Sequence, residues 1–313
     1  MVSLILTTLN EERTIGFLLE DILIQTRKPD EIVIVDGGST DRTIELIRKY
    51  SELLMQAGIR LVVKVLQGAN IARGRNEAIS IAKGPYIIVT DAGCRLDSKW
   101  IERLVEPLEM GRADFVGGFF RPVAHSRFQE VLAKLTTATH PTPNFLPSSR
   151  SVAFTKTLWQ RVGGYPEWLP WGEDTLFDRL CLKAGARYVV VADAVVYWEV
   201  RSSFRDAMKQ YFRYAFGDGL AARFSSSHLV LQGIYWTAIF STLIWGHWAL
   251  LPIFLYPFVW IIRRKVTEII NLPLAYAIAF SIQVSRFLGY IWGLVVKLFY
   301  LKGAEHENSY YHC

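Results

Sequence analysis

The sequence predicts an α/β fold with a mostly parallel sheet flanked by helices, followed by C-terminal transmembrane or interfacial helices. Three observations carry this. Short apolar runs alternate with helical stretches of about 10 to 15 residues, the pattern of βαβ units. The runs are apolar throughout rather than alternating, as in strands covered on both faces. And Leu229 to Ile262 contains no Asp, Glu, Lys or Arg.

The elements follow in order. Val2 to Thr8 reads as the first strand. Asn10-Glu11-Glu12 follows, with Asn10 as N-cap and two acids suited to the positive end of a helix running to about Gln25. Pro29-Asp30 breaks into Glu31 to Asp36, a second buried strand ending in an acid. Gly37-Gly38-Ser39-Thr40-Asp41 is a turn with N-cap chemistry, and Thr43 to Ala57 is helical. Ile59 to Leu66 gives a third strand and Ala69 to Lys83 a third helix. Gly84-Pro85 leads into Tyr86 to Val89, a fourth strand that ends in Asp91 and a glycine turn. Ligands of open α/β sheets bind beyond the carboxyl ends of the strands, where Thr7-Thr8, Asp36 and Asp91 fall. No GxGxxG and no GxxxxGK[ST] occurs, so a dinucleotide fingerprint and a P-loop lack their residues.

Asp97 to Trp100 opens a helix to about Gly111, and Ala113 to Phe120 is strand-like. His125 to Ser149 reads as a long loop marked by Pro141, Pro143 and Pro147, with His125 and His140 as ordinary surface residues. Gly163 to Asp174 is a Gly/Pro/Trp-rich loop that runs into two acids, Glu173 and Asp174, and Thr175 to Ala184 is helical. Either the acids cap that helix, or they take sugar hydroxyls while Tyr165, Trp168 and Trp171 stack on sugar CH groups. Ala186 to Trp198 gives a closing pair of strands, and Ser202 to about Phe216 a helix with Gln210 and Arg213 on one face.

The chain has 313 residues, 51% apolar, and a net charge of +6. The basic residues are dispersed, which disfavours nucleic acid. Cys94, Cys181 and Cys313 form no CxxC pair and are odd in number, which points to a reducing compartment. Met1 leads directly into Val2 to Leu6, which reads as a strand rather than a signal peptide.

The succession Leu6-Thr7-Thr8-Leu9-Asn10-Glu11-Glu12, Ile34-Val35-Asp36-Gly37-Gly38-Ser39-Thr40-Asp41, Arg75-Asn76 and Thr90-Asp91-Ala92-Gly93 resembles the family 2 glycosyltransferases, which have a GT-A, Rossmann-like fold. The likeness continues through Trp171-Gly172-Glu173-Asp174 to Gln210-x-x-Arg213-Tyr214, with Tyr214 where the form associated with processive polymerases has Trp. It implies that Thr7, Asn10 and Glu12 mark the loop beside a nucleotide. Asp36 would contact base or ribose, and Arg75, Asp91, Gln210 and Arg213 would serve the nucleoside diphosphate sugar. Asp174 would be the catalytic base, with Glu173 beside it. Helix capping is the competing role for Asp36, and an exposed surface arginine for Arg75. The resemblance also implies Mg²⁺ or Mn²⁺ at Asp91, but Gly93 stands where the second acid of the DXD signature is expected. Mg²⁺ takes few protein carboxylates plus substrate phosphates, so Asp91 with the diphosphate could suffice, with Asp97 as a supporting acid behind it. The loop from His125 is placed to shape the acceptor side.

The 34 uncharged residues from Leu229 to Ile262 would span about 51 Å as one helix, too long for a hydrocarbon core of about 30 Å. Two helices turning near Gly246-His247 fit better, with Arg263-Arg264-Lys265 returning to the side of the enzyme domain. The expected organisation is a catalytic domain over 1–222, membrane helices at 229–246, 248–262 and 269–285, an interfacial segment at 287–301, and a polar tail at 305–313. A buried helical hairpin of a soluble protein is the alternative. The resulting expectation is an inverting transferase in the cell membrane, multi-pass with its catalytic domain cytoplasmic. It would move a sugar from a nucleoside diphosphate sugar to the hydroxyl of a glycan or lipid acceptor. A catalytically silent membrane scaffold is disfavoured by the intact acids Asp36, Asp91 and Asp174. A nucleotidyltransferase is disfavoured by the lack of basic residues in Gly37 to Asp41.

Overall fold

The computed structural model describes residues 1–142, 145–223, 226–266 and 271–303; the expected polar tail lies outside them. Its first half follows the predicted order: β1 (Val2–Thr8), α1 (Ile15–Leu23), β2 (Glu31–Asp36), α2 (Thr43–Lys49), α3 (Ser51–Gln56), β3 (Arg60–Val65), α4 (Ile71–Ile81) and β4 (Tyr86–Val89). There follow β5 (Cys94–Leu96), α5 (Trp100–Glu109), β6 (Phe115–Val123), α6 (Arg127–Thr136), β7 (Val152–Thr155), α7 (Lys156–Val162), α8 (Glu173–Lys183) and β8 (Tyr188–Glu199). The chain continues with α9 (Phe204–Leu220), α10 (Ser226–Trp245), a 3-10 turn at Gly246–Leu250, α11 (Leu251–Arg263) and α12 (Leu272–Gly303).

Two compact units divide the chain. The first, Met1–Val123 with Ala138–Glu199, holds an eight-stranded sheet of order β3-β2-β1-β4-β7-β6-β8-β5. Strands β3, β2, β1 and β4 are mutually parallel. Beyond them the sheet is mixed, because β7 runs antiparallel to both β4 and β6. Strand β8 is parallel to β6 and antiparallel to β5.

The period-2 alternation of strand side chains sorts the apolar runs into two cores. Leu4, Leu6, Ile32, Ile34 and Ile88 pack with α1 and α5 on one face. Ile5, Val33, Val35, Ile87 and Val89 pack with α4, α7 and α8 on the other. This is why the runs are apolar without interruption. At the edge, β3 is largely exposed and carries Arg60 and Lys64, charges that blunt an open strand.

Several local expectations are corrected. Helix α1 starts at Ile15, not after Asn10, and Thr43 to Ala57 is two helices meeting at Tyr50. Ser126 caps α6 inside the stretch read as loop, its side chain accepting from Gln129 N. The expected pair of strands over Ala186 to Trp198 is the single strand β8, whose pairing with β6 shifts between Gly117 and Phe119. Strands β5 and β7 and helix α7 were not anticipated, each being too short and lacking the apolar run between breakers that marked β4.

The second unit, Ala124–Thr137 with Val200–Cys313, takes in α6 and α9 to α12. Gly246 has φ +60, which breaks the uncharged stretch into α10 and α11 near the expected turn. Helix α12 runs unbroken through Arg286, where two separate segments were expected; Ile269 and Ile270 lie outside the described residues. A Cβ on Gly289 or Gly293 would collide with the carbonyl oxygens of Phe212 and Phe216, and one on Gly219 with that of Tyr290. Glycines four apart on α12 thus let the backbones of α9 and α12 approach closely, the small-xxx-small device.

Candidate active site

At the carboxyl ends of β1 and β2, side chains stitch two loops together. Asp36 is fully buried. Its Oδ1 accepts from the amides of Gly38 and Ser39 at 2.9 and 2.6 Å. Its Oδ2 accepts from the hydroxyls of Ser39 and Thr8 at 2.6 and 2.8 Å. Burial alone would raise its pKa, but the donations from Ser39, Thr8 and Gly38 outweigh burial and hold the carboxyl below its usual range. In this structure Asp36 ties its own loop together, the capping role weighed against contact with base or ribose.

Asn10, at φ +57, does not cap a helix. Its amide donates to Ser39 Oγ at 2.8 Å and its Oδ1 accepts from Thr40 N at 2.9 Å. Glu12 accepts from Arg42 N at 3.2 Å, while its own amide donates to Asp41 Oδ2 at 3.1 Å. Thr7 lies on β1 where α4 comes closest, so that a Cβ on Gly74 would stand 2.9 Å from its Cγ2. With Asp36, Asn10 and Glu12 bond the loop after β1 to the loop after β2.

The second cluster is acidic and built around one arginine. Asn70 caps α4 by accepting from Arg73 N, and the following turn delivers Arg75 beneath the sheet edge, 2% exposed. Arg75 Nη2 donates to Asp91 Oδ1 at 2.9 Å and Nη1 to Glu173 Oε1 at 2.6 Å. Its guanidinium lies 5.4 Å over the Tyr165 ring. Desolvation works against its charge, but Asp91 and Glu173 outweigh it and hold the guanidinium protonated. Arg75 is therefore a buried strut between two acids, which corrects the exposed reading.

Glu173 and Asp174 open α8 after Gly172, which has φ +78. Burial, with Asp174 as neighbour, pushes the Glu173 carboxyl up to about 7 against the pull of Arg75. Asp174 is half-buried, and its Oδ1 accepts from Thr175 N at 2.7 Å. Tyr165, expected to stack on a sugar, is a core residue instead, 4.1 Å from Phe177 in a stacked pair. Trp168 is 43% exposed and remains open to such a contact.

Sequence reasoning missed Arg150. Its Nε stands 3.8 Å from Asp91 Oδ2, and its guanidinium lies 4.4 Å over the Trp198 ring. Its local sequence, Ser-Ser-Arg-Ser, carries no signal for this. Gln210 and Arg213 belong to the second unit, on α9, where the buried Gln210 donates to Tyr214 Oη at 2.7 Å.

A divalent cation of the Mg²⁺ type takes several hard oxygen ligands. Gly93 offers no side chain, and the two Asp91 oxygens face Arg75 and Arg150. Asp97 is committed to the start of α5, accepting from Lys99 N and Arg103. Among the described residues no group of three His, Cys, Asp or Glu is placed to hold a metal. The side chains present do not fit a protein-held cation at Asp91.

The family model of glycosyl transferase family 2 matches residues 3–165, more than half of the chain, and that of glycosyl transferase family group 2 matches residues 107–295. The glycosyltransferase AglE of Haloferax volcanii is 27% identical over 69% of this chain and 72% of its own length. The Escherichia coli UDP-Glc:alpha-D-GlcNAc-diphosphoundecaprenol beta-1,3-glucosyltransferase WfaP is 35% identical over 32% of this chain and 37% of its own length. For several other curated relatives the matched stretch is about a third of their length. The mannosyltransferase PcManGT from Pyrobaculum calidifontis, solved with GDP-Man and Mn²⁺, superposes with a TM-score of 0.58 at 21% identity, covering 95% of this chain and 87% of that one.

Proposed function

The chain belongs to glycosyl transferase family 2, and on that premise we propose an inverting, membrane-anchored transferase that takes a sugar from a nucleoside diphosphate sugar to a lipid-linked hydroxyl. One observation carries the site assignment. Arg75 ties Asp91, at the end of β4, to Glu173, in the same helical turn as Asp174. The strand end that would face the nucleotide and the turn that bears the base are thereby held at one place.

In this mechanism the acceptor hydroxyl oxygen attacks the anomeric carbon from the face opposite the diphosphate. Its proton passes to an Asp174 oxygen, and the anomeric C–O bond breaks with its electron pair leaving on the diphosphate. Glu173, buried and bonded to Arg75, fixes the turn rather than taking the proton. The rim from Asn10 to Asp41 gives the nucleoside a preformed wall, which lowers the ordering cost of binding. Every group in this mechanism belongs to the first unit.

The anchor rests on His228–Arg263 and Leu272–Phe299, both long and apolar enough to cross a membrane. Only 11% of the most apolar window of the first is buried, whereas a core helix of a soluble protein hides its apolar side chains. Leu243, Ile244, Trp245 and Trp248 are all largely exposed around the Gly246 turn, and Trp is favoured where bilayer meets water. The basic Arg263-Arg264-Lys265 supports a cytoplasmic side for the end of α11. WfaP, by its name, uses a diphosphoundecaprenol acceptor, which favours the same acceptor class here.

The test uses detergent-solubilised full-length protein with a panel of UDP- and GDP-sugars and a polyprenyl diphosphate glycan, reading released nucleoside diphosphate. Release with at least one donor, dependent on the acceptor, is expected. No turnover and no binding of either nucleoside diphosphate would overturn the reading.

A further inference from the structure

We infer that Arg150 supplies, as a fixed guanidinium beside Asp91, the positive charge at the donor diphosphate, so that this chain binds a nucleoside diphosphate without a divalent metal. The inference rests on reading the β4 end as the nucleotide-sugar site.

A Cβ added at Gly93 would meet nothing within 4 Å, so the site has room for a second acid that the chain does not supply. A cation at Asp91 would sit against two guanidinium groups, Arg75 on Oδ1 at 2.9 Å and Arg150 on Oδ2 at 3.8 Å. Both guanidinium charges would repel a cation held on that carboxylate. The charge that a diphosphate needs is already in place.

Arg150 is also built to stay there. Its guanidinium lies 4.4 Å over Trp198 and 5.5 Å over Phe120, and Nη1 donates to Ser148 Oγ at 3.0 Å. Its carbonyl accepts from Thr90 Oγ1 at 2.8 Å, which locks its backbone to the residue before Asp91. The side chain is 16% exposed, enough to meet a ligand and too little for water to screen its charge fully. A guanidinium is a planar fork of five N–H donors that matches phosphate oxygens, so it can serve Asp91, Ser148 and a diphosphate together. Held between two rings, it loses little side-chain freedom on binding.

The experiment titrates UDP and GDP, and uridine and guanosine as controls, into the full-length solubilised protein by calorimetry, in excess EDTA and then in Mn²⁺. Wild type should bind its diphosphate with affinities within about threefold in the two buffers. Arg150→Gln should weaken the diphosphate about tenfold or more while leaving the nucleoside unchanged, the size expected for one charge-assisted bond. Adding Gly93→Asp to Arg150→Gln should restore diphosphate binding in Mn²⁺ only, a rescue that a loop tether would not show. Equal loss of nucleoside and diphosphate in Arg150→Gln would overturn the inference. So would wild-type binding that appears only with Mn²⁺, an arm that needs no substitution. Absence of any nucleoside diphosphate binding in either buffer would overturn the nucleotide reading itself and the inference with it.

Discussion

Asp174 stands in the first turn of α8, where its carboxylate accepts from Thr175 N and also suits a general base. Asparagine caps about as well as aspartate, so Asp174→Asn leaves the helix nearly untouched. It removes the proton acceptor, and general base catalysis is worth roughly 10²- to 10⁴-fold. Turnover should therefore fall at least about a hundredfold, with nucleotide affinity and melting temperature close to wild type. Half-normal turnover in that variant would leave Asp174 as a cap alone.

Glu173 carries a pH signature. Its pKa is pushed from 4.5 to about 7, so in that window the folded chain holds a proton that the unfolded chain has released. This contribution to stability is present in full below the unfolded value and is lost as pH rises through the folded one. Urea midpoints across the window should decline more in wild type than in Glu173→Gln, and parallel profiles would exclude Glu173 as the source. Asp36 behaves as a cap should. Asp36→Ala strips the acceptor from Thr8, Gly38 and Ser39, and at about 1–3 kcal/mol per stranded buried donor the loss should reach at least ~2 kcal/mol. Differential scanning calorimetry would read this, and a neutral result would show the rim to be held by Asn10 and Glu12 instead.

At the scale of elements, the pairing of α9 with α12 depends on backbones meeting at Gly219, Gly289 and Gly293. Alanine at Gly293 would gain up to about 1 kcal/mol of helix propensity. Its methyl would meet the Phe216 carbonyl, which is backbone and cannot rotate away, and overpacking of this kind costs about 1–3 kcal/mol. The clash wins, and Gly293→Leu should be worse than Gly293→Ala in thermal unfolding. Equal melting temperatures for the three proteins would mean the helices part more easily than their packing suggests.

At the scale of the whole molecule, the exposed apolar surface of α10 and α11 is what the proposed membrane anchor rests on. The full chain should float with liposomes, and lipids brominated on their acyl chains should quench its tryptophan fluorescence. Trp245→Phe with Trp248→Phe should remove a large part of that quenching, since both rings are exposed at the Gly246 turn. Quenching unchanged in the double variant would place that turn outside the bilayer. Cutting the chain at 223 is a poor route to a soluble enzyme, because α12 is the packing partner of α9 within one compact unit.

The parallel half of the sheet was legible in the sequence because its signals are local. The short apolar runs within Val2 to Thr8, Glu31 to Asp36 and Tyr86 to Val89 read as strands covered on both faces, and all three are largely buried strands. The helix break near Gly246 was legible for a similar reason, since no single helix of that length fits a bilayer. The candidate site was legible as a set of acids at strand and loop ends, Asp91, Glu173 and Asp174, but not as an arrangement. That Asp36 is bonded into the loop ends depends in part on Thr8, 28 residues away. Whether Arg75 is a surface charge or a strut depends on Glu173, 98 residues away. The antiparallel insertion of β7 between β4 and β6 and the seat of Arg150 between Trp198 and Phe120 are of the same kind. Periodicity fixes what a residue is beside in its own element. Burial, hydrogen-bond saturation and charge pairing are set by distant partners, and those only the folded chain brings together.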